Sequence, residues 1–455
     1  MTQSLYIQET AASALTVNLL TGALKLTTDG WSTLTSEEQV WETFNCVSIA
    51  DAATLAGVLN DLDKLRERVR IYKADSTNSN PIWLIVRSEG DSGVRRALVY
   101  DIQYEVVGQY DRTPLLRATG NATFVTVTVL RHQYYEPAAS AQHTQSGIGV
   151  VGGKWSIAIS NDSSAQNRIE KLTVQTDGAS PMSRIWIGIR EHNFGTTGFV
   201  PLWEAEHGVP IGSTDTTEGA DATASGGNKD TISFATHPEM LNRFTITWDN
   251  VATANGISSG DYSDMMGNYL VLARMKVNAA GTKVRAQLRG GWAGFLGKES
   301  VFGTVYISGE TNWKLFEMGR ISFPTTGGRG GWYGTTSDLG DFQFVFFAQR
   351  DSVAGSLDVD CFILIPTDHL FYCDGASASS SSDLTAYIYE DESQYAICEN
   401  GATVWGNIEF GFENWNVSPA GGILVAAAQT ATSHLLTPTL YVTLDVYARW
   451  RGYYA

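Results

Sequence analysis

Charge is scarce in this 455-residue chain. Asp, Glu, Lys and Arg together make up 17% of it, against about 25% in a typical soluble protein. Surface helices draw heavily on charged residues, so a mostly helical or coiled-coil protein is excluded. Basic residues are scarcer still: 31 Lys and Arg against 48 Asp and Glu give a formal charge of −17. Such a field repels phosphate backbones. The densest basic run, Lys64 to Arg70, is interrupted by Glu67, so nucleic-acid recognition is not expected. Cysteine is rare, with 4 in the chain and no CxxC pair, which removes a disulfide framework and the usual zinc spacing. Spacing alone leaves open whether a pair forms among Cys361, Cys373 and Cys398. No apolar run approaches the ~18–20 residues a membrane-spanning helix needs, and no membrane is expected as a partner. The start, Met1-Thr2-Gln3-Ser4-Leu5, lacks the basic-then-apolar pattern of a secretory leader. The expectation is a protein that stays in the producing cell or leaves it by lysis.

Glycine is abundant, with 45 residues, and aromatics reach 11%; together they describe short strands joined by tight turns. Hydrophobic residues at 43% suffice for substantial cores. The expected fold is mainly β: an N-terminal sheet domain with one helix, then a jelly-roll-like β-sandwich. Residues 1–138 form the first domain and 139–375 the sandwich; residues 376–455 supply C-terminal strands that pack back on it. Within the first domain the strand-like stretch 39–48 is followed by Leu55, Val58, Leu59, Leu62, Leu65 and Val69 at helical spacing, with Asp51 as N-cap, giving a helix over 52–72. Val125-Thr126-Val127-Thr128-Val129 alternates with period two, as a half-buried strand does. Strands at 10–20-residue intervals follow, as in a two-sheet sandwich. Residues 213–231 read as an exposed low-complexity loop.

Several motifs match as strings and fail in context. Gly147-Ile148-Gly149-Val150-Val151-Gly152 spells a dinucleotide fingerprint, but a linker precedes it and a strand follows, where the motif needs a helix N-terminus. Gly256-Ile257-Ser258-Ser259-Gly260 spells a nucleophile elbow within a polar loop, without the strand-to-helix turn that exposes the serine. The stretch from Gly291 to Lys298 has the wrong glycine spacing for a phosphate loop, and Glu299 stands where Ser or Thr belongs. No cofactor and no resident metal are expected. Asp358 and Asp360 could touch calcium, yet no full ligand loop surrounds them. Glu204 and Glu206 fall on one side of a strand, and paired carboxylates ~5–10 Å apart hydrolyse glycosides. An exposed acidic strand edge is the plainer account, since such pairs arise by chance among 48 acids, so no enzyme activity is expected. Trp292, Trp313, Trp332 and Tyr333 lie in or near Gly-rich turns, as do sugar-stacking platforms and interface anchors, although sandwich core is the plainer reading.

Residues 40–137 resemble the tube-forming domain shared by tail tube and distal tail proteins of long-tailed bacteriophages. The resemblance rests on the order strand (40–47), helix (52–72), strand (83–86), long hairpin (96–109 and 122–131), and on the closing phrase Val127-Thr128-Val129-Leu130-Arg131-His132-Gln133-Tyr134-Tyr135-Glu136-Pro137. It implies identical subunits closing into rings, with hexamers one such order, that stack into a hollow conduit in the virion tail. The helix (Leu55, Leu59, Leu62) would lie outside, and the hairpins (Val125, Val127, Val129) would line a channel through which DNA passes without specific binding. Other tail proteins would be its partners. Residues 142–373 are similar to carbohydrate-binding-module jelly rolls, most tellingly in the strands 340–350 and 357–366. That likeness implies an outward decoration and, as the alternative function, binding of cell-surface glycans.

Overall fold

The computed structural model describes the chain apart from residues 1–3, 11–14, 36–38, 77–78, 88–93, 111–121, 160–164, 179, 192–197, 211–214, 235–238, 258–263, 266, 278–281, 290–298, 302–304, 308–309, 324–342, 351–354, 389–394, 400–401, 404–406, 411–415, 437 and 451–455. The chain divides into unit 1 (Met1–Ala141, Asn161–Arg168 and Tyr447–Ala455) and unit 2 (Gln142–Ser160 and Ile169–Val446). Both are built mainly from β-strands, as the composition implies.

Unit 1 contains β1 (Ser4–Glu9), β2 (Thr16–Asn18), β3 (Lys25–Thr35), β4 (Gln39–Ser48), α1 (Ala52–Ala74), β5 (Ile82–Arg87), β6 (Arg95–Tyr110), β7 (Ala122–His132) and β8 (Glu136–Pro137). The sheet order is β2-β1-β5-β6-β7-β4-β3, with β8 beside β6. Alternation along β7 puts Val125, Val127 and Val129 inside, opposite Cys46, Phe44 and Glu42 of β4. The Asp51 carboxylate accepts the Thr54 N–H at 2.8 Å and caps α1, satisfying a donor that the first turn leaves free. Leu62, Leu65, Val69 and Tyr72 form the helix's buried stripe. The first three pack with Ile7, Leu84, Ile102 and Val127 in one core. Each such side chain contributes about 1.5–3 kcal/mol relative to exposure.

Among the described residues unit 2 has four sheets, the second of which includes Tyr395–Glu399, Leu384–Ile388 and Ala165–Thr176. The first runs Gly153–Ile157, Gly422–Thr430, Met182–Glu191, His369–Ala378, Asn407–Phe410. Both of its faces are covered. Ile185, Ile187, Ile189, Leu424 and Ala426 belong to one core with Leu172, Val174 and Val442. Trp186, Ile423, Val425 and Ala427 belong to the other, with Trp203, Phe244, Phe346 and Phe362. Gly188 is required by close approach, because a Cβ there would lie 2.2 Å from the Pro366 carbonyl oxygen. A third sheet runs Thr216–Ala220, Asn228–Ser233, Ser356–Pro366, Gly267–Val277, Lys314–Phe323, with Leu202–Glu204 also paired to Ser356–Pro366. A fourth, including Leu241–Thr247 and Gln343–Arg350, closes the aromatic core. Phe344 and Phe362 have ring centroids 4.4 Å apart. The sandwich expected from the sequence is therefore extended to stacked layers that share a sheet. Residues 213–231 correct the loop reading: 216–220 and 228–233 form a hairpin, and Asp230 within it is buried.

Candidate functional site

Two groups of polar residues stand out against these cores. In unit 1, Glu136 on β8 is buried against two arginines. Its Oε1 accepts Arg168 Nε and Arg449 Nε, each at 2.9 Å, and its Oε2 accepts Arg168 Nη2 at 3.1 Å. Burial alone would push this carboxyl up, but the two guanidinium charges and their hydrogen bonds hold it at about 2. A second buried pair joins Arg131 to Glu42 Oε1, with Nε at 3.0 Å and Nη2 at 2.5 Å. The other Glu42 oxygen accepts Trp31 Nε1 at 2.5 Å and Thr33 Oγ1 at 2.7 Å. Both carboxylates are thus filled with donors, as buried charges require.

In unit 2 the third sheet carries a cluster of carboxyls. Glu204 and Arg274 each pair with Cys361 from opposite sides of its strand. The register then jumps to Met275 opposite Val359, which leaves Asp360 as the extra residue of a β-bulge. A bulge re-aims a side chain locally, and here the ligand atoms of Glu204, Asp360 and Cys361 lie within 4.8 Å of one another. Arg274 spends its donors on Asp360 Oδ2 (2.5 Å), the Thr223 carbonyl (3.0 Å), His434 Nδ1 (2.8 Å) and the His434 carbonyl (2.9 Å). His434 therefore accepts through Nδ1 and donates from Nε2 to the Val150 carbonyl at 3.0 Å; burial and the Arg274 charge hold its pKa at about 3. Beside it, Lys229 bonds Asp358 at 2.5 Å and Lys276 bonds Asp221 at 2.7 Å. The two acids considered for calcium, Asp358 and Asp360, are thus each paired with a cation.

Glu204 and Glu206 lie near each other, but not on one side of a strand: Glu204 ends the strand Leu202–Glu204 and Glu206 sits in the 3-10 turn Ala205–His207 that follows. A Cβ placed on Gly226 would lie 3.2 Å from the Glu206 carboxyl carbon and 3.7 Å from that of Glu204. Burial, then the charges of Asp360 and Glu206, raise Glu204 to about 8 against the lowering effect of a Ser225 hydrogen bond. Ser225 Oγ sits between Asp360 Oδ1, at 2.9 Å, and Glu204 Oε2. One hydroxyl proton serves only one of them, so a proton on Glu204 completes the other contact. Burial, with Asp360 and Glu218 nearby, raises Glu206 to about 7, and burial with Glu218 and Glu206 raises Asp230 to about 7. Asp230 and Ser225 were not legible as members, because strand pairing delivers the one and the hairpin's loop the other.

The other residues singled out from the sequence fall elsewhere. Val125, Val127, Val129 and Leu62 are buried in unit 1, with Leu55 and Leu59 half-buried at the same core. Trp313 is only 6% exposed; its Nε1 donates to Thr223 Oγ1 at 2.8 Å, and Lys276 Nζ lies 4.2 Å from its ring. That ring is committed to the cluster and offers no open stacking face. Trp292, Trp332, Tyr333, Ser258 and residues 291–298 lie outside the described residues. All four cysteines are free thiols, which answers the question of a pair among Cys361, Cys373 and Cys398.

No family model and no curated protein matches the chain. Among solved structures it is similar to a chain of the phage p2 baseplate in its activated conformation, at 8% identity and a TM-score of 0.18, covering 79% of this chain and 98% of that one. It is similar also to infectious bursal disease virus, Gt strain, at 9% identity and a TM-score of 0.18, covering 68% of this chain and 81% of that one. Likenesses this remote carry no argument about fold or function.

Proposed function

We propose that the protein is a structural subunit of a bacteriophage tail, assembling through unit 1 into rings that stack as a conduit, with unit 2 as its outward β-sandwich part. The observation that carries this reading is the sheet of unit 1. Its order of strand, 23-residue helix, strand and long hairpin matches the order on which the tube-domain resemblance rests. Among the described residues, β3 also ends the sheet, with Leu34 on it 71% exposed. An 11-residue edge strand offers unpaired backbone groups to a neighbour's strand, the contact by which identical subunits close head to tail. Ile49, Ile71 and Val106 add exposed apolar surface to the same unit. The net charge of −17 suits a channel that passes DNA without holding it. The reading assigns the protein no reaction and places it in the virion, among other tail proteins. Negative-stain electron microscopy across a concentration series tests it: rings or tubes support it, and monomers at every concentration overturn it.

A further inference from the structure

Unit 1 carries a cleft of about 510 Å³ lined by Gln8, Thr10, Trp83, Ile85, Val94 and Arg96. The registers of β1, β5 and β6 put Gln8 opposite Trp83 and Ile85 opposite Arg96. These four side chains therefore share one face of the sheet. The reverse face sends Ile7, Leu84 and Ala97 into the core. A cation stands fixed in the cleft. Trp83 Nε1 donates to Thr10 Oγ1 at 2.5 Å, which anchors the indole. The Arg96 guanidinium lies 4.0 Å from the centre of that ring and 5.4 Å from that of Tyr447. Such stacking orients the guanidinium before any ligand arrives. Among the described residues its one hydrogen-bond acceptor is the Tyr447 hydroxyl, 3.2 Å from Nη2, and Nε is buried with none. The acid on the same wall, Glu9, is paired with Arg68 of α1 and leaves Arg96 uncompensated.

We propose that this cleft binds a carboxylate carried on an apolar or aromatic body. The planar fork of an arginine matches a carboxylate in shape and charge. One uncompensated cation balances one negative charge, which suits a carboxylate better than a phosphate dianion. The volume falls in the range of small-ligand sites, roughly 300–1,000 Å³, and exceeds what a carboxylate alone fills. Ile85 and Val94 on its walls meet the apolar remainder. The carboxylate can belong to a free acid or to an Asp or Glu side chain of a second copy of the chain.

The test is calorimetric titration of the full chain with phenylacetate, and with phenylacetamide as its uncharged near-isostere. The expected result is one saturable site for phenylacetate, with affinity roughly tenfold or more weaker for phenylacetamide and in Arg96→Gln. Arg70→Gln, at an exposed position of α1, should bind as the parent does. Val94→Trp fills the cleft without touching the cation and should also abolish binding, so the test stands even if Arg96→Gln fails to fold. Sedimentation of the parent with saturating phenylacetate separates the two sources. Dissociation of oligomers assigns the carboxylate to a neighbouring copy, and unchanged sedimentation assigns it to a free acid. No heat at millimolar phenylacetate would overturn the proposal. So would equal binding of phenylacetamide, or binding that persists in both Arg96→Gln and Val94→Trp.

Discussion

Replacing Glu136 by Gln is the sharpest test of how unit 1 holds its segments together. Glu136 on β8, Arg168 and Arg449 come from three separated stretches of the unit, and all three side chains are buried. The native carboxyl sits near 2, against an ordinary value of 4.5. At 1.36 kcal/mol per pH unit, this depression corresponds to about 3 kcal/mol of stability. Because the folded value lies below the unfolded one, the contribution is fully present above pH 4.5 and is lost as pH falls from there towards 2. Gln keeps the shape and one acceptor, yet leaves two buried guanidiniums facing no charge, a change that costs about 3–5 kcal/mol. Urea unfolding of parent and Glu136→Gln chains at pH 7 and stepwise down to pH 3 measures both effects. The gap between them should be several kcal/mol at pH 7 and narrow below pH 4.5. A gap under about 0.5 kcal/mol at pH 7, or one that stays constant with pH, would refute the reasoning.

Gly188→Ala should prevent the first sheet of unit 2 from seating on Pro366, since the 2.2 Å approach is to backbone; a thermal melt within 2 °C of the parent would contradict this. Leu62→Ala should cost unit 1 about 3 kcal/mol in urea unfolding, as a fully buried leucine does, with no effect confined to assembly. Leu34→Lys, on the exposed edge strand, should leave the monomer's melting temperature unchanged while abolishing rings under the electron microscope. Thiol titration of the native chain should show Cys46, Cys361 and Cys373 protected and the half-buried Cys398 reacting, with all four reacting in urea.

The elements that the sequence announces are those with one wet face. Helix α1 is legible because Leu62, Leu65 and Val69 repeat at helical spacing, and β7 because Val and Thr alternate. The strand Gly422–Thr430 is not legible, since Ile423-Leu424-Val425-Ala426-Ala427-Ala428 serves two cores and has no polar face to reveal its period. The hairpin at 216–233 is hidden by its composition: its polar residues look solvated, but Asp230 is enclosed by strands that arrive from elsewhere in the chain. Of the carboxyl cluster, the adjacency of Glu204 and Glu206 is visible in the sequence. Asp360 joins through a bulge and Ser225 through a loop, and neither carries a local signal.

The shared sheet of unit 2 also sets a timetable for synthesis. Gly153–Ile157 pairs with Gly422–Thr430, Gly153 facing Ala426, so a strand made early in the unit waits for a partner more than 250 residues later. At about 5–20 residues per second, the ribosome takes tens of seconds to deliver that partner. Until then the edge of Met182–Glu191 that pairs with Gly422–Thr430 stays open. A nascent chain of this kind keeps an unpaired strand edge available to other chains until residues 422–430 emerge and cover it.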